Sequence, residues 1–157
     1  MTTVYVLNGP NLNLLGRREP ETYGTATLAD VEELCRHVAG KKDLEVDFRQ
    51  TNSEGELIDW IQEAGAAQEA GTSIGAVLNP AGFSHTSVAL ADAIAGTGLR
   101  LVEVHISNVH RREAFRQHSY VSAVAAGVVV GFGVTGYPLG ITGLYELVQA
   151  EREAGRG

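Results

Sequence analysis

Five short apolar runs, each about one strand long, alternate with segments whose apolar residues recur at helical spacing. This alternation restricts the fold more than any other feature of the chain. Residues 4–7 are apolar and largely β-branched, and they stop at the turn-forming Asn8-Gly9-Pro10-Asn11. Leu44, Val46 and Phe48 alternate along a second run, and residues 74–78 form a third, stopped by Asn79-Pro80-Ala81-Gly82. Residues 99–104 and Val128-Val129-Val130 are the fourth and fifth.

Between these runs, Leu28, Val31, Leu34, Cys35 and Val38 predict an amphipathic helix over residues 27–39, opened by Thr27-x-x-Asp30. Ser53-x-x-Glu56 reads as a capping box before a helix carrying Leu57, Ile58, Ile61 and Ala64 on one face. Residues 86–95 read as a helix with Val88, Ala91 and Ile94 inward. Residues 138–150 read as a closing helix with proline at its start, and residues 151–157 as a frayed tail. Continuous apolar strands separated by helices imply a parallel sheet covered on both faces. Right-handed crossovers then give an α/β fold: a flavodoxin-like, doubly wound three-layer sandwich with a five-stranded parallel sheet. With 157 residues and no repeat or linker, the expectation is a single domain over residues 1–157.

Charge and cysteine usage narrow the function. Twelve Lys and Arg against 19 Asp and Glu give a net charge of −7, whose far field repels nucleic acid and anionic membrane. Cys35 is the single cysteine, so no intrachain disulfide or thiolate metal cluster forms, and a reducing compartment is the natural reading. Residues 1–8 carry no basic segment and no apolar run reaches bilayer length, so neither a signal peptide nor a membrane span is expected. The expectation is a soluble cytoplasmic protein.

In a sheet of this type, ligands bind outside the carboxyl ends of the strands. The first, third and fourth strands end at Asn8, Asn79 and His105, and the second runs into Gln50-Thr51-Asn52. One such end is ordinarily a turn former capping its own loop; several on one rim point to a site. The loop over residues 8–26 is far longer than an ordinary βα connection and carries Arg17, Arg18 and Tyr23. A free phenol has a pKa of about 10. An arginine held against Tyr23 would lower that value and make a general base; the plain alternative is a surface tyrosine on a solvated loop. Glu103 and His105, two apart on a strand, share a face. The carboxylate can fix the imidazole tautomer and stabilise imidazolium, which suits a general acid; a purely structural pair is the alternative. Ten of the twelve basic residues are arginine, and Arg17, Arg18, Arg111, Arg112 and Arg116 fall in two loops of the rim, a pattern suited to a small carboxylate substrate.

Other motifs fail on context. Gly131-Phe132-Gly133-Val134-Thr135-Gly136 matches the dinucleotide fingerprint, and Glu151 lies 20 residues on, but that acid falls in the expected helix and tail rather than at the end of a second strand, so dinucleotide binding is not expected. Gly82-Phe83-Ser84-His85 lacks the second glycine of a nucleophile elbow. The five histidines include no closely spaced pair for zinc. The only lysines, Lys41 and Lys42, sit in a hydrophilic connector, which argues against imine chemistry.

Several blocks, in order, carry a resemblance to a known family. Residues 8–16, from Asn8-Gly9-Pro10-Asn11 onward, with Arg18-Glu19-Pro20 and Tyr23-Gly24, resemble the opening signature of the type II 3-dehydroquinate dehydratases. Gln50-Thr51-Asn52 resembles the second block, which more often reads Gln-Ser-Asn. Asn79-Pro80-Ala81-Gly82-Phe83-Ser84-His85 resembles the third, with Gly82-Phe83 in place of a more frequent Ala-Tyr. Glu103-Val104-His105-Ile106-Ser107-Asn108 and the Arg112 to Ser119 segment resemble the fourth.

The resemblance implies anti elimination of water from 3-dehydroquinate through an enolate, without metal or cofactor. By position, Tyr23 would take the C2 proton, with Arg18 lowering its pKa. His105 would protonate the departing C1 hydroxyl, oriented by Glu103. Asn13 and Asn79 would position substrate and a water at the enolate oxygen. Ile106 and Ser107 would bind the carboxylate, and His85 and Arg116 the ring hydroxyls. Asp92 would reach a neighbouring subunit's site in a homo-oligomer, a dodecamer built from trimers. The alternatives from other classes are a non-catalytic flavodoxin-like module that binds a small acid and a hydrolase using Ser84.

Overall fold

The alternating segments assemble into one sheet. The computed structural model describes residues 1–17 and 20–156, without the side chains of Pro20, Tyr23 and Arg156. Strands β1 (Thr2–Asn8), β2 (Leu44–Gln50), β3 (Ser73–Asn79), β4 (Leu101–His105) and β5 (Gly127–Val130) pair in the order β2-β1-β3-β4-β5, all parallel. This is the doubly wound flavodoxin order expected from the pattern. The helices are α1 (Pro20–Tyr23), α2 (Leu28–Gly40), α3 (Glu54–Glu69), α4 (Val88–Thr97) and α5 (Gly136–Arg156).

Strand side chains alternate between two cores. Val4 and Val6 pack with Val31 and Cys35 of α2 and with Tyr137, Ile141 and Leu144 of α5. Tyr5 and Leu7 pack on the other face with Leu57 and Ile61 of α3 and Leu90 and Ile94 of α4. Each fully buried aliphatic side chain contributes roughly 1.5–3 kcal/mol of transfer free energy.

The helix starts show where local chemistry shifted the expected boundaries. Thr27 opens α2 with a reciprocal capping box: its Oγ1 accepts from the Asp30 N–H at 3.2 Å, and its own N–H donates to Asp30 Oδ2 at 2.9 Å. The box expected at Ser53 is half formed. Ser53 Oγ accepts from the Glu56 N–H at 3.2 Å, but the Ser53 N–H donates to Thr51 Oγ1 at 3.0 Å and is not left for Glu56. Helix α4 starts at Val88, capped by Ser87, not at Thr86. In that register Ile94 points inward as expected and Leu90 joins it, whereas Val88 is exposed and Ala91 is half-buried, contrary to the rest of the expected stripe.

The strand and helix ends near the chain's C-terminal half also differ from expectation. Gly98, at φ 64°, closes α4, so β4 starts at Leu101. Strand β5 is a sheet edge, not a strand buried on both faces, and its Val128 is exposed. Helix α5 continues to Arg156, so residues 151–156 are helical where a frayed tail was expected. Arg100 grips Glu151 through Nε at 3.2 Å and Nη2 at 2.6 Å, which ties the final turns of α5 to the sheet. Pro138 fits because it lies in the first turn, where an N–H has no helical acceptor.

The connection from β4 to β5 contains no α-helix. Residues 106–126 carry two 3₁₀ turns, Val109–Arg111 and Ala114–Arg116, and this irregular segment covers one end of β4.

At the other end of the sheet, the pairing of β1 with β3 shifts register between Thr3 and Val4, and Gly75 sits opposite with φ 128°. A Cβ there would run into the Arg100 carbonyl oxygen. Gly75→Ala is expected to cost about 3 kcal/mol. The measurement is a lower urea midpoint at unchanged slope.

Candidate active site

Polar side chains at buried strand ends must find partners inside the protein. On β1 the alternation that sends Val4 and Val6 toward α5 sends Asn8 the same way, and on β3 Asn79 follows Val77. Tyr137 of α5 meets both. Its Oη donates to Asn8 Oδ1 at 2.7 Å and accepts from Asn79 Nδ2 at 2.9 Å. Asn8 Nδ2 donates to the Arg49 carbonyl at 3.0 Å, and Asn79 Oδ1 accepts from the Ala81 N–H at 3.1 Å. Burial pushes the Tyr137 phenol well above its usual range, against the hydrogen bond from Asn79. Tyr137 is therefore a neutral brace, not a base.

On β4 the opposite parity applies. Leu101, Glu103 and His105 share a face away from α5. Glu103 is 0% exposed and accepts three hydrogen bonds. His105 Nε2 meets Oε2 at 2.5 Å, Ser119 Oγ donates to the same oxygen at 2.7 Å, and Ser122 Oγ donates to Oε1 at 2.5 Å. Burial pushes this carboxyl up, but the bonds and charge from His105 and the bonds from the two serines outweigh it and hold it below the usual carboxylate range. The expected strand pair thus exists, with Glu103 ionised and Nδ1 of His105 free of hydrogen bonds to the other described residues.

His105 opens into a cleft of about 140 Å³ at the ends of β1, β3 and β4, the switch point of the sheet. Leu12, Leu14 and Leu15 of the first loop form its apolar wall. His85, Ser107, Arg112 and Arg116 supply polar groups. The His85 and His105 rings are stacked with centroids 6.3 Å apart. His85 Nδ1 donates to the His118 carbonyl at 2.7 Å, which leaves Nε2 as an acceptor in the neutral ring. Burial holds His85 below its usual range; the nearby His105 and Arg116 add to this, against the bond to His118. Arg112 Nη1 donates to Ser107 Oγ at 3.3 Å, and Arg116 Nε to Glu113 Oε2 at 2.8 Å. A neutral imidazole, an imidazole backed by a carboxylate, and two guanidinium groups can bind a small polyhydroxylated acid and protonate a leaving group.

Of the residues expected at the site, Asn79, His85, His105, Ile106, Ser107 and Arg116 line this cleft, and Glu103 lies directly behind His105. Asn13 is not among the lining residues; its Oδ1 accepts from Gln50 Nε2 at 3.4 Å. Asp92 is exposed on α4, away from the cleft. Arg18 lies outside the described residues. Tyr23 ends α1, and its phenol is likewise outside them. Of the other described rim arginines, only Arg112 reaches the cleft; Arg111 borders a neighbouring groove beside Gly131 and Gly133. Sequence reasoning missed Tyr137, Ser119 and Ser122. The only signals were a tyrosine in the first turn of the last helix and the Ser119-x-x-Ser122 spacing. Ser84 is fully buried and donates to the Ala81 carbonyl at 2.7 Å, which suits a structural hydroxyl rather than a nucleophile. Among the described residues, no helix is long and apolar enough to cross a membrane.

Comparison with known proteins agrees with this geometry. Residues 2–145 match the family model described as dehydroquinase class II. A 3-dehydroquinate dehydratase from Acidovorax sp. (strain JS42) is 61% identical over 142 residues, covering 90% of this chain and 96% of that protein. One from Marinomonas sp. (strain MWYL1) is 60% identical over 150 residues, covering 96% and 100%. The crystal structure of type II dehydroquinase from Propionibacterium acnes superposes with a TM-score of 0.84 at 42% identity, covering 95% of this chain and 97% of that one.

Two stability measurements probe the buried networks. Tyr137→Phe leaves Asn8 Oδ1 and Asn79 Nδ2 without their shared partner and is expected to cost about 1–3 kcal/mol in chemical denaturation. Glu103 has a lowered folded pKa, so its ionised form contributes stability above the ordinary carboxylate range and loses it as pH falls through the lowered value. Glu103→Gln is therefore expected to lower Tm at neutral pH, with the gap to the unmodified protein narrowing as the solution is acidified.

Proposed function

The chain belongs to the class II dehydroquinase family, and on that footing we propose that it is a 3-dehydroquinate dehydratase, a hydro-lyase of the shikimate pathway. It removes water from 3-dehydroquinate to give 3-dehydroshikimate. The observation that carries this reading is the imidazole of His105 at the cleft, backed by the fully buried carboxylate of Glu103 at 2.5 Å.

In the proposed reaction, Tyr23 as phenolate takes the C2 proton, and Arg18 favours that phenolate by its charge. The C–H electrons pass into the C2–C3 bond and make an enolate. The enolate re-forms the carbonyl, a C1–C2 double bond forms, and the C1 hydroxyl leaves with a proton from the His105 imidazolium. The two groups end as neutral tyrosine and neutral imidazole, and a net transfer of one proton through solvent resets them. Glu103 orients His105 and stabilises its charged form.

Asn13 and Asn79 position the substrate and a water at the enolate oxygen. One N–H of the Asn79 amide is committed to Tyr137, and the other serves this role. Ile106 and Ser107 bind the substrate carboxylate. His85, through its free nitrogen, and Arg116 hold the ring hydroxyls. Asp92, exposed on α4, extends to the cleft of a neighbouring subunit in a dodecamer of trimers. The proposed protein is a single catalytic domain that acts in the cytoplasm and uses no metal or cofactor.

Activity is read as growth of the conjugated enone absorbance when purified protein meets 3-dehydroquinate. Turnover that survives borohydride treatment supports enolate over imine chemistry; loss of turnover refutes it. Tyr23→Phe is expected to lower kcat by about 10²–10⁴-fold, the range of a general base, with product binding little changed. Full turnover in that variant removes Tyr23 from the role of base. A purely binding module would show product affinity without any enone growth.

A further inference from the structure

We propose that Ser119 and Ser122, which lie outside the substrate cleft, are positioning residues for proton delivery: they hold Glu103 as an oriented anion behind His105 and so keep the transferable proton on the imidazole rather than on the carboxylate. This rests on the dehydratase reading above.

The two carboxylate oxygens are held differently. Oε2 is shared between His105 Nε2 and Ser119 Oγ, and Oε1 is taken by Ser122 Oγ. Three short bonds on two oxygens fix both the position and the rotation of a fully buried carboxylate. Ser119 Oγ also accepts from the Ser122 N–H at 3.3 Å, which orients its own proton toward Glu103. Hydroxyl donors stabilise the carboxylate and not the acid. Without them Glu103 competes with the imidazole for the proton that the reaction needs.

Both serines come from the helix-free segment between β4 and β5. They line a second cavity of about 370 Å³, together with Glu103, His105, His110 and His118. Among the described residues, the charged and titratable groups around the pair are therefore His85 from the turn after β3, Arg112, Arg116, His110 and His118 from the segment itself, and His105 on β4. None of these is a carboxylate that could replace Glu103. Because neither serine lines the substrate cleft, their removal changes proton affinity without removing a substrate contact.

The sign follows from the pair acting as one proton site. Loss of a donor raises the proton affinity of Glu103, so the pair takes its first proton at higher pH. Part of that proton then rests on Glu103, where it is useless to the leaving group. Ser119→Ala and Ser122→Ala are each expected to lower the plateau kcat about tenfold and move the alkaline limb of the kcat profile up by about one pH unit, with KM for 3-dehydroquinate within about twofold. Ser122→Thr keeps the hydroxyl and is expected to restore both. Ser119→Cys and Ser122→Cys keep the shape with a weak donor, and they stand in for any alanine variant that fails to fold. Folded Ala or Cys variants whose pH profiles superpose on the unmodified protein overturn this inference alone, as does a raised KM at unchanged kcat. An unmodified protein that leaves 3-dehydroquinate untouched overturns the dehydratase reading and this inference together.

Discussion

A carboxylate sealed from water is destabilising unless its hydrogen bonds are made inside the protein, and the active face of this molecule is arranged around meeting that demand at Glu103. The transfer of a charge into the interior costs several kcal/mol even after relaxation, and removing a partner exposes that cost. Strand β4 supplies the carboxylate and the imidazole by its two-residue repeat. The segment after it supplies the hydroxyls. A helix in this place would ordinarily present an apolar stripe to the sheet. The irregular path of residues 106–126 is thus the structural counterpart of a polar strand end.

A second polar network sits on the opposite face and does a different task. Tyr137 joins the ends of β1 and β3 through Asn8 and Asn79, the two strands that flank the switch point of the sheet. It is buried completely and held neutral. One face of the sheet therefore carries a neutral brace that fixes where the cleft opens, and the other carries the ionised group that prepares the acid. The first loop closes the third side with Leu12 and Leu15, both buried. These two side chains join the first loop to the core through apolar contact.

The strands and their order were legible because apolar runs bounded by Asn, Pro and Gly admit few other assignments. The Glu103–His105 pair was legible because a strand has a strict period of two. Boundaries set by a competing hydrogen bond were not. Thr51 takes the Ser53 N–H that a reciprocal box would use, and Ser87 caps a helix that starts at Val88, two positions after the expected start at Thr86. The extension of α5 depends on Arg100 reaching Glu151, a contact 51 residues apart that no local window contains. Ser119, Ser122 and Tyr137 were invisible for the same reason: their importance comes from what they meet across the fold, 16, 19 and 129 residues away. The assignments of Asn13 and Asp92 came from motif likeness alone, whereas Tyr23 as a base beside an arginine was also suggested by the length and content of the first loop.

The helix-free connection has a further consequence. It carries Arg116 on the cleft, the His118 carbonyl that orients His85, and both hydroxyls that hold Glu103, all within seven residues. Ligand grip and acid strength are consequently mounted on one short, continuous strap. A shift anywhere along it retunes affinity and reactivity together, so selection acting on one property drags the other with it.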